Sequence, residues 1–219
     1  MGGSILPATI YKNKLYFLFG KERDIDENPG WSDFGGGKNK NESFFETAIR
    51  EGSEEFTGFL GEKKNIRHIL NKHGTFNIDF KDKVFPTYRS HIFPMKYDDK
   101  LPYYYNNNQQ FLQQHLNSNI IKDTKIFEKT QLKWFCVNDL SSQINLFRGF
   151  YQNIIPMIIQ NKHRIEKFIR KSLKAYRNKT KKLKQTKNKT KNKTKNKTKN
   201  KTKNKTKNKT KNKTKQYVV

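Results

Sequence analysis

"GGGKNKNESFFETAIREGSEEF", residues 35–56, decides how this chain is read. Three glycines lead into a segment with helical spacing, in which Phe45, Ile49, Gly52 and Phe56 share one stripe. Gly58 follows as the expected C-cap. Four of the chain's nineteen acidic residues lie between Glu46 and Glu55, with Arg50 among them. On a helix, Glu51, Glu54 and Glu55 stand at i, i+3 and i+4, so their side chains converge on one edge. Three like charges that close repel unless a cation compensates them. Carboxylate oxygens suit a hard divalent ion, Mg²⁺ or Mn²⁺. The glycine run permits close backbone approach to the same ion. Arg50 is placed to orient a neighbouring carboxylate. Together these features point to metal-assisted hydrolysis of a phosphate compound. An acidic helix stripe is also the ordinary look of a solvated face, and residue types alone leave both readings open.

Outward from this segment the body reads as mixed α and β. "SILPATIYKNKLYFLFGKE" suggests two strands around an Asn-Lys turn, the first running from Gly3 to Tyr11. "NIRHILNK" suggests a short helix ending near Gly74. "TFNIDFKDKVFPTYRSHIF" suggests a second hairpin. "NNNQQFLQQHL" suggests a helix begun by Asn caps. "KIFEKTQLKWFCV" suggests a strand with Leu132, Trp134 and Cys136 on one side. "QNIIPMIIQNKHRIEKFIRKSLKAY" reads as one long helix with Ile154, Ile158, Ile165 and Ile169 on one face, and Pro156 either kinking it or lying in its first turn. Strands and helices without strict alternation favour an α+β sandwich over a doubly wound sheet.

The formal charge is +28 over 219 residues, unevenly spread. Nineteen lysines and no acid lie between Lys179 and Lys215, and residues 1–161 carry only about +3. Residues 188–215 are seven copies of Asn-Lys-Thr-Lys. With no apolar face to bury, nothing offsets the entropy of ordering, so 178–219 is expected to be a disordered basic tail behind a 1–177 domain. Lys167, Arg170, Lys171, Lys174 and Arg177 form a basic run ahead of it, a candidate polyanion-binding surface with RNA as the favoured polymer. Cys136 is the sole cysteine, which excludes an internal disulfide and fits a reducing, intracellular compartment. No stretch approaches the roughly 18 apolar residues of a membrane span. A P-loop is excluded, because Ser32 stands five before Gly37 and Asn39 follows Lys38. The histidines show no zinc-ligand spacing. Trp31, Phe34, Tyr103, Tyr104 and Tyr105 are candidates for stacking a base.

The spacing of the acidic segment resembles the Nudix box: Gly, five residues, Glu, seven residues, Arg-Glu, an aliphatic, any residue, Glu-Glu, any residue, Gly, an aliphatic. Gly36, Glu42, Arg50, Glu51, Glu54 and Glu55 all fall in register. Gly52 stands where the box has its aliphatic, and Thr57 where it has its closing glycine. A helix-interior glycine costs about 0.5–1 kcal/mol relative to alanine. Gly52→Ala is therefore expected to stabilise the chain unless another side chain fills the space above it. "LYFLFGKERD", "WSDFGGG" and "FEKTQLKWFCVNDL" resemble further Nudix segments. "YDDKLPYYYNNNQQFL" and the C-terminal helix are similar to Nudix proteins of large DNA viruses, which would place the protein in a host cytoplasm or a virion.

The resemblance implies an α/β/α sandwich with a mixed sheet, followed by the C-terminal helix and the tail. It also implies roles. Gly35 or Gly36 offers a carbonyl to the metal, and Glu51, Glu54 and Glu55 bind Mg²⁺ or Mn²⁺. Glu51 also shares in activating water, and Arg50 orients Glu51. Glu42 is a structural salt-bridge partner. A carboxylate outside the box completes such sites, with Glu128 the first candidate and Asp98 and Asp99 weaker ones. The implied reaction is hydrolysis of a pyrophosphate linkage. The substrate stays open between capped RNA, for which the basic end speaks, and small nucleoside-diphosphate-linked or inositol-pyrophosphate compounds. A non-catalytic RNA-binding module on the same fold is the alternative class, and the intact carboxylate set argues against it.

Overall fold

The computed structural model describes residues 1–23, 29–81, 87–123 and 127–175. The N-terminal hairpin forms as the pattern suggests. β1 (Gly2–Tyr11) and β2 (Lys14–Glu22) pair antiparallel, and Lys12 and Asn13 take left-handed φ angles of 44° and 61° in the turn. Two such residues make the mirror-image turn that matches strand twist. β3 (Trp31–Ser32) pairs with β2, and β4 (Phe34–Gly37) with the start of β1. β5 (Phe76–Phe80) and β6 (Tyr88–Pro94) form the second hairpin, and β6 lies parallel to β1. β7 (Lys129–Cys136) pairs antiparallel with β2. The sheet order β3-β2-β1-β6-β5, with β4 on β1 and β7 on β2, is mixed and open. The fold class is α+β, as the element pattern suggests.

Strand alternation sends side chains to two cores. On one face Ile5, Leu18, Phe93 and Leu132 meet α1 (Phe44–Glu55), α2 (Lys63–His73) and α3 (Lys100–His115) through Ala48, Ile49, Phe56, Ile66, Leu70 and Tyr105. On the other, Leu6, Phe17, Phe19, Ile92 and Phe135 meet Ile154, Ile155, Ile158, Ile165 and Ile169. The result is an α/β/α sandwich. A short α4 (Ser118–Asp123) follows α3. The compact body runs over Met1–Leu173. The proposed boundary at 177, Arg177 itself and the repeat lie outside the described residues. Among the described residues no helix is long and apolar enough to cross a membrane.

Three expectations need correction. The Asn run of 106–108 does not start a helix. α3 begins seven residues earlier in sequence than Asn107, at Lys100, whose N–H bonds Asp98 Oδ1 at 2.9 Å. The long C-terminal helix is three pieces: α5 (Gly149–Gln152), α6 (Ile155–Gln160) and α7 (162–175). Asn153 and Asn161 cap the first two, and the Asn161 amide turns back to the Met157 carbonyl at 2.9 Å. Pro156 lies in the first turn of α6, and the four isoleucines still face one core. α1 is not capped by Gly58. Its C-cap is Phe56, and Thr57 takes φ +46° at the box's glycine position. A β-branched residue there is sterically disfavoured.

At Gly52 another side chain does fill the space. A Cβ built there would stand 2.4 Å from Ile5 Cδ1 and 2.7 Å from Ile5 Cγ1. Ile5 is fully buried and has nowhere to retreat. The missing aliphatic of α1 is thus supplied by β1. Gly52→Ala should destabilise the protein by about 1–3 kcal/mol, the usual range for overpacking. Chemical denaturation reads this directly, and a raised midpoint would contradict it.

His91, buried on β6, sets a pH dependence. Its Nδ1 lies 3.0 Å from the Ser4 carbonyl oxygen, so the neutral ring donates there. Burial outweighs that bond and holds the imidazole down at about 4, against 6.5 for a free ring. The unfolded chain therefore binds this proton more readily than the folded one. The stability is full above pH 6.5 and is lost as pH falls through about 4. His91→Gln keeps a donor without the titration and should flatten that stretch of the pH–stability curve. The same slope in both proteins would remove His91 as its source.

Candidate active site

α1 is positioned by its N-terminus. Ser43 caps it, accepting from the Glu46 N–H at 3.2 Å, and Glu46 returns the bond to the Ser43 N–H at 3.2 Å. This reciprocal capping box fixes where the helix starts, and hence where Glu51, Glu54 and Glu55 stand. The helix lies against β1 and β4, with β4's glycines beneath its acidic edge. A Cβ on Gly36 would meet Glu51 Oε1 at 2.4 Å, so only a glycine admits that carboxylate. Gly35 backs onto Ser4 and the Tyr88 hydroxyl instead.

Arg50 organises the edge. Its Nε and Nη2 grip Glu42 at 2.7 and 3.0 Å, and Nη2 also reaches the Gly37 carbonyl at 2.9 Å. Nη1 lies 2.7 Å from Glu51 Oε1 and 3.4 Å from Glu54 Oε2. Two-pronged contact with Glu42 fixes the guanidinium plane. These hydrogen bonds hold the Glu42 carboxyl down at about 2 and raise Arg50 above its ordinary value. Both Glu42 oxygens are therefore engaged by Arg50.

Glu54 is partly exposed, with Lys63 Nζ 3.5 Å away. Glu55 is buried, and its Oε2 has no hydrogen-bond partner. Burial pushes the Glu55 carboxyl well up. Lys129 opposes that push, and Glu22, Glu128 and Glu51 add to it. Asp98 Oδ1 accepts from the Lys100 N–H at the start of α3 and the Asp98 carbonyl accepts from Trp134 Nε1 at 2.9 Å, while Asp99 is the N-cap residue and its side chain makes no capping bond.

Three groups were not read from the sequence. Lys129 is fully buried, bonded to Glu22 Oε1 and, at 2.7 Å, to Ser32 Oγ. Arg148 Nη1 also reaches Glu22 Oε1, at 2.8 Å. Asp33 lies at the wall of a cavity of about 280 Å³ beside Gly35, Gly36 and Gly37, which Tyr88, Arg148 and Tyr151 also line. Asp33 accepts from Ser4 Oγ, from the Tyr88 hydroxyl at 2.7 Å and from Ser90 Oγ at 2.8 Å. Burial still raises its carboxyl above the ordinary value, against those bonds. Among the stacking candidates, Trp31, Phe34 and Tyr105 are core residues, while Tyr103 and Tyr104 are exposed. Lys167, Arg170, Lys171 and Lys174 are exposed on α7, and Arg170 pairs with Glu166 at 2.7 Å.

The donor set is suited to a hard divalent cation: oxygen ligands only, mutually repelling carboxylates and a buried Glu55 oxygen that accepts no hydrogen bond. Among the described residues no three His, Cys, Asp or Glu side chains stand as a ready cage. Arg50 draws Glu51 and Glu54 to one side, and Lys129 lies over Glu55.

No family model matches the sequence, and no curated protein matches it significantly. Solved structures do resemble it. The binary complex of an Ap4A hydrolase from C. elegans is 13% identical, covers 80% of this chain and 97% of its own, and has a TM-score of 0.41. The NUDIX domain of Shewanella oneidensis NrtR complexed with ADP ribose is 12% identical, with 74% and 85% covered and a TM-score of 0.39. A NUDIX hydrolase from Listeria monocytogenes is 15% identical, with 76% and 96% covered and a TM-score of 0.39. These are likenesses of architecture alone.

Proposed function

We propose that this chain is a Nudix-type hydrolase that cleaves a pyrophosphate linkage with Mg²⁺ or Mn²⁺. One observation carries the reading: Glu51, Glu54 and Glu55 stand at i, i+3 and i+4 on α1, with Glu51 packed against Gly36 and beside an arginine already neutralised by Glu42. Glu51, Glu54 and Glu55 would hold the metal, which supplies charge neutralisation on phosphate oxygens and lowers the pKa of bound water. Arg50 holds Glu51 in place, and Glu128 is the carboxylate outside the box. The cavity beside Gly35, Gly36 and Gly37 takes the organic group on the phosphates, with Arg148 at hand for a phosphate oxygen.

The finer reading concerns size. The basic face of α7, with Lys167, Arg170, Lys171 and Lys174, precedes nineteen lysines, and that favours a polyanionic substrate such as capped RNA. A cavity of about 280 Å³ would serve a free dinucleotide equally well. A panel of cap-labelled RNA, free cap analogue, dinucleotides and an inositol pyrophosphate, each with Mg²⁺ or Mn²⁺, separates them. Cleavage of capped RNA that weakens with added salt supports decapping. Cleavage of small compounds alone supports the small-molecule reading. Cleavage of none, with RNA still bound, would leave a non-catalytic module.

A further inference from the structure

Among the described residues, Lys129 is a fully buried charge that the reading above does not use. Its side chain is 0% exposed. Nζ bonds Glu22 Oε1 and Ser32 Oγ and forms an ion pair at 3.6 Å with Oε2 of Glu55, an oxygen with no hydrogen-bond partner. The chain makes room for it in two ways. The β2–β7 register runs Gly20 to Leu132 and Lys21 to Gln131, then shifts so that Glu22 meets Lys129. That bulge places an extra residue, Thr130, on β7. Without it Lys129 would alternate to the face opposite Leu132; with it Lys129 points under α1. Gly20, on the same face of β2, leaves space for the stem. A Cβ there would stand 2.8 Å from Lys129 Cδ and 2.9 Å from the Phe34 ring.

A buried ammonium within reach of two buried carboxylates does locally what a bound cation does: it offsets their repulsion and fixes their oxygens. We infer that Lys129 stands in for one cation of the carboxylate site, so that the chain holds one divalent ion fewer than its carboxylates would otherwise take. This rests on the metal reading of Glu51, Glu54 and Glu55. Lys129 is a positioning residue here: it acts through Glu22 and Glu55, while Glu51 and Glu54 are held by Arg50.

The test is Mn²⁺ stoichiometry on the full chain, by calorimetry and by electron paramagnetic resonance of free Mn²⁺. Lys129→Met keeps most of the stem and removes the charge, and should bind about one more Mn²⁺ per chain than the parent. Glu22→Gln combined with Lys129→Met restores the parent's net charge and should restore the parent's count. With only a packing role for the lysine, Lys129→Met itself would keep the parent's count. Should Lys129→Met fail to fold alone, millimolar Mn²⁺ should restore its circular dichroism, and no recovery overturns the inference. An unchanged count in Lys129→Met beside a parent that binds Mn²⁺ overturns it too, and leaves the metal reading standing. A parent that binds no Mn²⁺ removes both.

Discussion

Glu54→Gln should lower metal-dependent turnover by at least about tenfold, with the fold intact. The substitution keeps the size of the side chain and removes one negative ligand, and charge stabilisation by a metal is worth several kcal/mol in such reactions. Glu54 is the cleanest of the three to change. Its neighbours, Arg50 Nη1 at 3.4 Å and Lys63 Nζ at 3.5 Å, are long contacts on a partly exposed side chain. Pairs of that kind contribute about 0–1 kcal/mol to stability. Glu55→Gln would lose activity as well, but it also strips Lys129 of a buried counter-charge, so its folding must be checked beside it. Parent-level turnover of Glu54→Gln on a cleaved substrate would remove Glu54 from the site.

Gly36→Ala is the second large effect. The new Cβ would lie 2.4 Å from Glu51 Oε1 and 2.7 Å from its carboxyl carbon. Glu51 is held on its other side by Arg50 Nη1 at 2.7 Å, so either the carboxylate or the strand must move. Displacing a catalytic group by about 1 Å can cost on the order of 100-fold in rate. The expected loss is therefore roughly 10- to 100-fold. Gly37→Ala is the control, since a Cβ there meets nothing within 4 Å. Equal rates in the two variants would show that close packing on Gly36 does not matter to the reaction.

The parts of the site legible in the sequence are those carried by one helix. Glu51, Glu54 and Glu55 share an edge because of helical periodicity alone. Both hairpins were legible too, from strand runs separated by turn residues. Residues brought in by tertiary contact were not. Glu22 ends one strand and Lys129 begins another, and nothing local links them. Strict alternation even sends Lys129 to the wrong face, because a bulge leaves no mark in composition. Asp33 looks like an ordinary loop acid until Ser4, Tyr88 and Ser90 surround it. The space above Gly52 could not be known without its neighbour across the layer, Ile5. The asparagines of α3 misled because their capping preference is local, while Tyr105 and Gln109 are held by burial against the sheet.

The central claim is that water attacks phosphorus at a metal site built on α1. The most direct measurement is hydrolysis in ¹⁸O-labelled water, with the panel substrate that is cleaved fastest, in the presence and absence of Mg²⁺ or Mn²⁺. The account predicts that the label appears in a phosphate of one product, that chelation stops the reaction, and that Glu54→Gln largely abolishes it. Label outside the phosphates, or cleavage that continues unchanged after chelation, would contradict it.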